Sequence, residues 1–420
     1  MNEDEILPFD FERDMGDVLQ TWSETGWFEG EERQEKQIRA FFEANDGRSV
    51  VGQIAGRTES VTHRTLGFMR YDQSEIPAGG ITAVTTSRIA RKRGLASRGT
   101  ARSVAHLGDE GAAVALLGMF EQGFYDRFGF GVGPYENEVY VYPGALNVPV
   151  DYRTPERFDL EEDIEEVHAA MVTRYLPHGG LVIGGERSTS AGLQIDDEVR
   201  VFGYRTDGAI SHFVAVTSKG EHGPDRIIQW AYATQTQCLE LLRMVQEWGD
   251  QVDLVRFTEP RWMQAQDLIV HPGHEFRRTG GSKAESRIDA DAWWQLRILD
   301  LQTCIRAMRP SDEAFSVSVQ VSDPIDRHLR DGGYEGSWTS LEGTWNLRFG
   351  ETNRAERIEG IAPGDADVVT SVGALSRWWF GVVPASTLAV LGEIEADPDV
   401  LTSLDRLTAH LPKPQIGWDL

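Results

Sequence analysis

Lysine is almost missing from this chain. Of 41 basic side chains only Lys36, Lys92, Lys219, Lys283 and Lys413 are lysine, and arginine supplies the rest. Cysteine is scarcer, with Cys238 and Cys304 alone, too few for a disulfide framework. No apolar run approaches the ~20 residues that a membrane-spanning helix needs. The start, Met1-Asn2-Glu3-Asp4-Glu5, carries acid where a secretory signal carries base, so no signal peptide is expected. Gly-x-Ser-x-Gly does not occur, which leaves serine-hydrolase chemistry without a motif. His271-Pro272-Gly273-His274 offers two histidines with no third ligand nearby, and no metal is assigned. Positive charge is outweighed as well: 67 acidic residues against 41 basic give a net −26. A phosphate backbone would be repelled overall, so neither nucleic acid nor an anionic membrane is an expected partner. These absences together point to a soluble, cytoplasmic protein.

The acid excess has two readings. One is adaptation to a high-salt cytoplasm, where acidic surfaces stay hydrated and their repulsion is screened. The other is an ordinary acidic soluble protein. The shortage of lysine favours the halophilic reading. At 420 residues the chain has room for two or three domains, each with its own core. Apolar content of 40% and charged content of 26% are those of a globular protein.

The stretch that carries chemistry runs from Gly79 to Gly131. Ile81 to Thr85 is β-branched and follows a Gly-Gly break, as a short buried strand would. Arg91-Lys92-Arg93-Gly94-Leu95-Ala96 comes next and opens a helix with Leu95, Val104 and Leu107 among its apolar positions. Ala112 to Leu117 reads as a second strand, and Gly123 to Phe130 as an aromatic turn around Tyr125. Arg88, Arg91, Lys92, Arg93, Arg98 and Arg102 make a basic island in an acidic chain. Basic side chains at a helix N-terminus oppose the helix dipole, so the island favours a ligand with several phosphates that offsets the conflict. Solvated surface is the plainer alternative for such a cluster.

This segment resembles the acyl-donor site of the GNAT acetyltransferases. Their phosphate-binding turn reads Gln/Arg-x-x-Gly-x-Gly/Ala, which Arg91, Gly94 and Ala96 match. The match is closest to the Eis (enhanced intracellular survival) family. That resemblance implies acetyl-CoA as donor, held by Arg91, Lys92, Arg93, Gly94, Leu95 and Ala96, with the backbone at Val84 and Thr86 along its pantetheine arm. It implies Tyr125 as the acid that protonates the departing thiolate. It also implies the terminal carboxylate of Leu420 as the base that receives a proton from the amine. The family has a proline where Arg88 stands, and it ends on an aromatic residue where Leu420 stands. Homo-oligomers, hexamers in the family, are a further implication.

Later segments suggest repetition and then a change of class. Ile227 to Tyr232, Cys238 to Trp248 and Asp253 to Phe257 repeat the strand-helix-strand order. The turn here is Ala233-Thr234-Gln235-Thr236-Gln237, with neither arginine nor glycine. A degenerate second GNAT-like domain is the expectation. Ala292 to Met308 is read as one helix, and Trp293 to Asp300 resembles the helix that opens a sterol-carrier-like domain. Phe315, Val317, Val319 and Val321 then alternate with polar residues as a strand. The fold expected is mixed α+β: a catalytic GNAT domain over 1–151, closed by a strand at Glu138 to Pro143, a degenerate copy over 152–288, and a sterol-carrier-like domain over 289–420. The expected function is acetyl transfer from acetyl-CoA to a primary amine, whether a polyamine, an aminoglycoside or a lysine side chain. The competing expectation is a non-catalytic acyl-CoA-sensing or lipid-binding protein.

Overall fold

In the computed structural model the described residues are 4–45, 48–195, 198–311, 313–360 and 364–420, so the first three residues of the acidic start lie outside them. The chain divides into two units. The first comprises Met1–Pro134, Pro177–Gly184 and Trp293–Leu420. The second comprises Tyr135–Leu176 and Gly185–Ala292.

An eight-stranded sheet organises the first unit. Its path runs β1 (Glu5–Pro8), β2 (Ser49–Ile54), β3 (Arg57–Tyr71), β4 (Ser74–Thr86), β5 (Val114–Gly118), then Trp294–Ile298, and last β6 (Gly131–Val132). β3 is 15 residues long and pairs β2 along its first half and Leu181–Ile183 along its second. Three helices belong to this sheet's part of the chain. α1 (Phe11–Thr25) starts where the Asp10 carboxylate accepts from the Arg13 N–H and stops at Gly26, whose φ is 84°. It buries Met15, Val18, Leu19 and Trp22. α2 (Glu32–Ala44) buries Ile38 and Phe42. α3 (Leu95–Asp109) connects β4 to its parallel neighbour β5 and buries Leu95, Val104 and Leu107.

The same unit contains a five-stranded sheet in the order Arg354–Ile358, Gly343–Phe349, Phe315–Ser322, Val368–Ser371, Ile394–Ala396. Helix Val372–Trp379 follows Val368–Ser371, lies mainly against Trp294–Ile298 and β6 of the larger sheet, and buries Trp378 and Trp379. The second unit has its own seven-stranded sheet. There Asp225–Ala231 and Val255–Thr258 run parallel, joined through helix Gln235–Gln246.

Three local expectations are corrected. The Gly79-Gly80 pair does not break the chain but lies inside β4. A Cβ on Gly79 would stand 2.3 Å from Leu107 of α3, and one on Gly80 would stand 2.5 Å from Ile183 on the other face. Glycine is needed because packing closes on both sides. The strand Glu136–Val141 does not close the first domain; it pairs Val255–Thr258 and Arg287–Asp291 in the second unit's sheet. The expected helix from Ala292 to Met308 is a strand, Trp294–Ile298, followed by a short helix, Leu301–Ala307, capped by Asp300. Trp294, Leu296 and Ile298 alternate with Gln295 and Arg297, and all five are buried, so the two-residue period wins over helical spacing.

Two buried histidines make this unit acid-sensitive. His63 on β3 meets Ser49 Oγ at 2.7 Å and Thr65 Oγ1 at 3.1 Å, and burial pushes its pKa down to about 3. His178 Nδ1 accepts from the Asp72 N–H at 3.2 Å, its Nε2 donates to the Phe380 carbonyl at 3.1 Å, and burial holds its pKa at about 4. Below about pH 6.5 the unfolded chain binds protons at both rings that the folded chain refuses. Stability therefore falls as the pH falls, with a limiting slope of about 1.4 kcal/mol per pH unit for each ring. Urea denaturation between pH 7 and 4.5 should show this loss, and His63→Gln should reduce its slope by one proton; an unchanged slope would remove His63 from the account.

Candidate active site

The site begins with a defect in the sheet. β3 and β4 pair Val61 with Thr85 and His63 with Thr82, so Ala83 and Val84 together face Thr62 alone. Ala83 takes a φ of 55° to fit. Such a bulge bends its strand and increases the local twist. Parallel pairing of β4 with β5 covers Ala78 to Ile81 against Val114 to Leu117. Beyond Ile81 the ladder stops, leaving a split in the pairing between Val84–Thr86 on one side and Gly118–Met119 on the other.

At the end of β4 the chain turns through Ser87 to Gly94. Gly94 has a φ of 78°, no side chain caps α3, and its first turn has no acidic residue. Uncapped N–H groups at a helix N-terminus attract an anion. Lys92, also left-handed at φ 65°, is exposed, as is Arg91; among the described residues neither side chain has a hydrogen-bonding or ionic partner. The rest of the basic island is differently engaged. Arg93 Nε meets Asp4 at 3.0 Å, Arg98 Nη1 donates to the Asp4 carbonyl at 3.2 Å, and Arg102 Nη1 donates to the Ile6 carbonyl at 2.7 Å. Those three arginines hold the first strand, so the dipole conflict is partly met from within. Arg88 contributes its N–H to Glu24 at 3.2 Å. The corresponding turn of the second unit is closed: Gln237 accepts from the N–H groups of Ala233 and Thr234, and Thr234 Oγ1 accepts from Gln237.

Two further groups reach the split from opposite faces of the sheet. Tyr125 is buried in one cluster with Ile81, Leu117 and Leu107, on the α3 face. Its ring meets Phe120, Phe124 and Phe130 at 5.8, 4.9 and 6.3 Å. Burial raises its pKa well above that of an ordinary phenol, so the hydroxyl stays protonated. On the other face lies the tail. The Leu181 N–H donates to the Ile416 carbonyl at 3.0 Å and the Gln415 N–H to the His178 carbonyl at 3.2 Å. Ile416 and Trp418 are buried. A Cβ on Gly118 would lie 2.9 Å from the Leu420 carboxyl oxygen, and one on Gly80 2.9 Å from Leu420 Cδ2. Gly80 and Gly118 point to the face opposite Ile81 and Leu117, because side chains alternate along a strand.

Residues 12–133 match the family model of the acetyltransferase (GNAT) domain. The chain carries a GNAT acetyltransferase domain. Residues 338–416 match a sterol carrier protein domain. An uncharacterised N-acetyltransferase of Streptomyces avermitilis is 25% identical over 351 residues, covering 79% of this chain and 78% of that protein. A probable N-acyltransferase from Enterococcus faecalis shares the fold over 100% of both chains with a TM-score of 0.78 at 17% identity. A GCN5-related N-acetyltransferase from Anabaena variabilis does so at 0.78 and 12%, and Eis1 from Mycobacterium abscessus at 0.72 and 14%, each with both chains covered in full. Among the described residues no helix is long and apolar enough to cross a membrane, and no group of three or more His, Cys, Asp or Glu could hold a metal.

Val84 packs against the cluster that holds Tyr125, the Leu420 carboxyl end lies beside Gly118, and Gly94, Leu95 and Ala96 stand at the start of α3, where the Leu95 side chain packs with Ile6, Val50 and Ala90. The Arg93 guanidinium is taken by Asp4. The sequence reading missed the contribution of Trp294–Ile298, which pairs β5 and β6 and flanks the split. Its alternating pattern was the available signal. The docked tail gives a test that needs no turnover. Gly118→Ala should expel the last residues, and carboxypeptidase should then release Leu420 at least several-fold faster by mass spectrometry. Equal rates would mean that Gly118 does not seat the tail.

Proposed function

We propose that the chain transfers acetyl from acetyl-CoA to a primary amine by direct attack. The observation that carries this reading is the split between β4 and β5, with an uncapped helix at its end, a protonated phenol on one face and a terminal carboxylate on the other. The diphosphate would take the N–H groups at Gly94, Leu95 and Ala96 and the charges of Arg91 and Lys92. The pantetheine arm would lie along Val84 to Thr86, whose backbone N–H groups can also steady the oxyanion. An amine reaches the site as an ammonium and gives a proton to the Leu420 carboxylate. Its nitrogen then bonds to the thioester carbon, the carbon–sulfur bond breaks, and the thiolate takes its proton from Tyr125; the nitrogen gives up its second proton to solvent as the amide forms, and the Tyr125 phenolate regains one from solvent. A carboxylate of pKa about 3.5 is a weak base, so its use depends on holding the ammonium close and leaving with the proton by exchange to water.

The second unit is read as a degenerate GNAT copy, because its own side chains fill the position that the first copy leaves to phosphate. The relatives described above supply the class of reaction, and the acidity of the chain suits a cationic acceptor such as a polyamine, an aminoglycoside or a lysine side chain. Oligomerisation, a cytoplasmic setting and high-salt adaptation belong to the same proposal. A lipid-carrying role has less support: Trp378 packs on Phe349 within the C-terminal part, and a 510 Å³ cavity there is lined by residues that include Arg306, Glu351, Arg354 and Glu356.

Thiol release from acetyl-CoA with a panel of these amines, in low salt and in multimolar KCl, tests the proposal. Release with one amine class supports it. Binding of acetyl-CoA without release by any amine would overturn it in favour of a sensing module. In the active assay Tyr125→Phe should lower kcat by about 10²–10⁴-fold, the range for a general acid, with KM for acetyl-CoA little changed. Arg91→Glu with Lys92→Glu should do the reverse and raise that KM at least tenfold; an unchanged KM would take both side chains out of phosphate binding.

A further inference from the structure

Burying an arginine and a glutamine in the middle of a sheet is costly, and apolar residues of similar size are often as stable or more so. The strand Trp294–Ile298 does both: Gln295 and Arg297 are each 0% exposed. They stand opposite Leu117 and Ala115 of β5, and therefore on the face where Tyr125 packs. Both side chains reach the turn that follows Tyr125. Gln295 Nε2 donates to Asp126 Oδ1 at 2.7 Å. Arg297 Nη1 donates to the Phe128 carbonyl. Arg297 Nη2 meets Asp323 Oδ2 at 2.7 Å, in an ion pair with neither side chain exposed.

The turn is fixed on its remaining sides as well. The N–H groups of Phe128 and Phe130 both donate to the Tyr125 carbonyl, at 2.9 and 3.5 Å. Gly129 has a φ of 78°, and a Cβ there would stand 2.4 Å from Val372 Cγ1, 3.1 Å from Arg297 Nη1 and 3.3 Å from Asp323 Oδ1. Asp323 is itself held, accepting from the N–H groups of Leu341 at 3.1 Å and Ile325 at 3.3 Å. One connected set of buried polar contacts thus joins the C-terminal five-stranded sheet to the backbone that carries Tyr125. The oxygen of the Gln295 amide has no hydrogen-bond partner among the described residues.

We propose that Gln295 and Arg297, the latter oriented by Asp323, are positioning residues that aim the Tyr125 hydroxyl at the departing thiolate. They touch no substrate; they act through the turn at residues 126–129. The C-terminal third of the chain thereby takes part in proton delivery. This inference rests on the reading of Tyr125 as the acid.

A double-mutant cycle tests it. Gln295→Leu removes one hydrogen bond and one unpartnered buried oxygen, so its melting temperature should equal or exceed that of the parent. It should nevertheless lower kcat by about tenfold, with KM for acetyl-CoA within about twofold, since small misplacements of a reacting group cost that much or more. In a Tyr125→Phe background the same substitution should cost nothing further, because coupled residues fail to add. Equal loss in both backgrounds, or no loss in the parent, overturns the positioning role while leaving Tyr125 as the acid. A Tyr125→Phe enzyme with undiminished kcat removes the premise instead. Asp323→Asn should repeat the pattern with a larger drop; if that variant does not fold, the Gln295→Leu cycle still decides.

Discussion

The parting of β4 from β5 is the constraint on which the rest depends. Two parallel strands would ordinarily continue their ladder, and continuing it would leave no room for a thioester. The extra residue at Ala83–Val84 prevents that. A bulge of this kind costs one residue's pairing and gives a bent strand with unshared N–H and C=O groups. Those groups need a partner, and a pantetheine arm, itself rich in amides, is of the right chemistry to supply one. The helix start, the phenol and the tail are each arranged around that gap.

In the proposed reaction the two faces of the sheet divide the proton work. The α3 face is apolar and aromatic, which keeps Tyr125 in its neutral, donating form. The opposite face receives the tail, with Leu420 beside Gly80 and Gly118. Side-chain alternation along β4 and β5 is sufficient to separate the two environments by the thickness of one sheet. Glycine at 79, 80 and 118 lets each face be approached closely without the strands moving apart.

Much of this arrangement was legible in the residues. Arg91, Gly94 and Ala96 announce the turn, and Ile81 to Thr85 and Ala112 to Leu117 announce the strands on either side. What escaped were features that depend on distant partners. Arg93, Arg98 and Arg102 read as part of an island for a ligand with several phosphates, because nothing local reveals that Asp4 and the Ile6 carbonyl receive them. Gly79-Gly80 read as a break, because the nearness of Leu107 and Ile183 is a tertiary fact. Trp294 to Ile298 carries both a helical and a strand period, and only the vacancy beside β5 decides between them. Glu138 to Pro143 reads as a strand, and Glu136–Val141 is one, but its sheet is not legible, since pairing is not written in its own residues.

The order of the strands carries a consequence for how the chain comes to be folded. β5 is made early, yet its neighbour in the sheet arrives only with residues 294–298, and β3 acquires its last partner at residues 181–183. Pairings so far apart along the chain are slow to close. A nascent chain therefore presents β5 with an open, apolar edge while the 175 residues from 119 to 293 are synthesised. Such edges invite association with other chains. The catalytic part is thus no detachable module: it reaches its final form only when the far end of the polypeptide has been made, and cells that produce it have reason to shield that edge meanwhile.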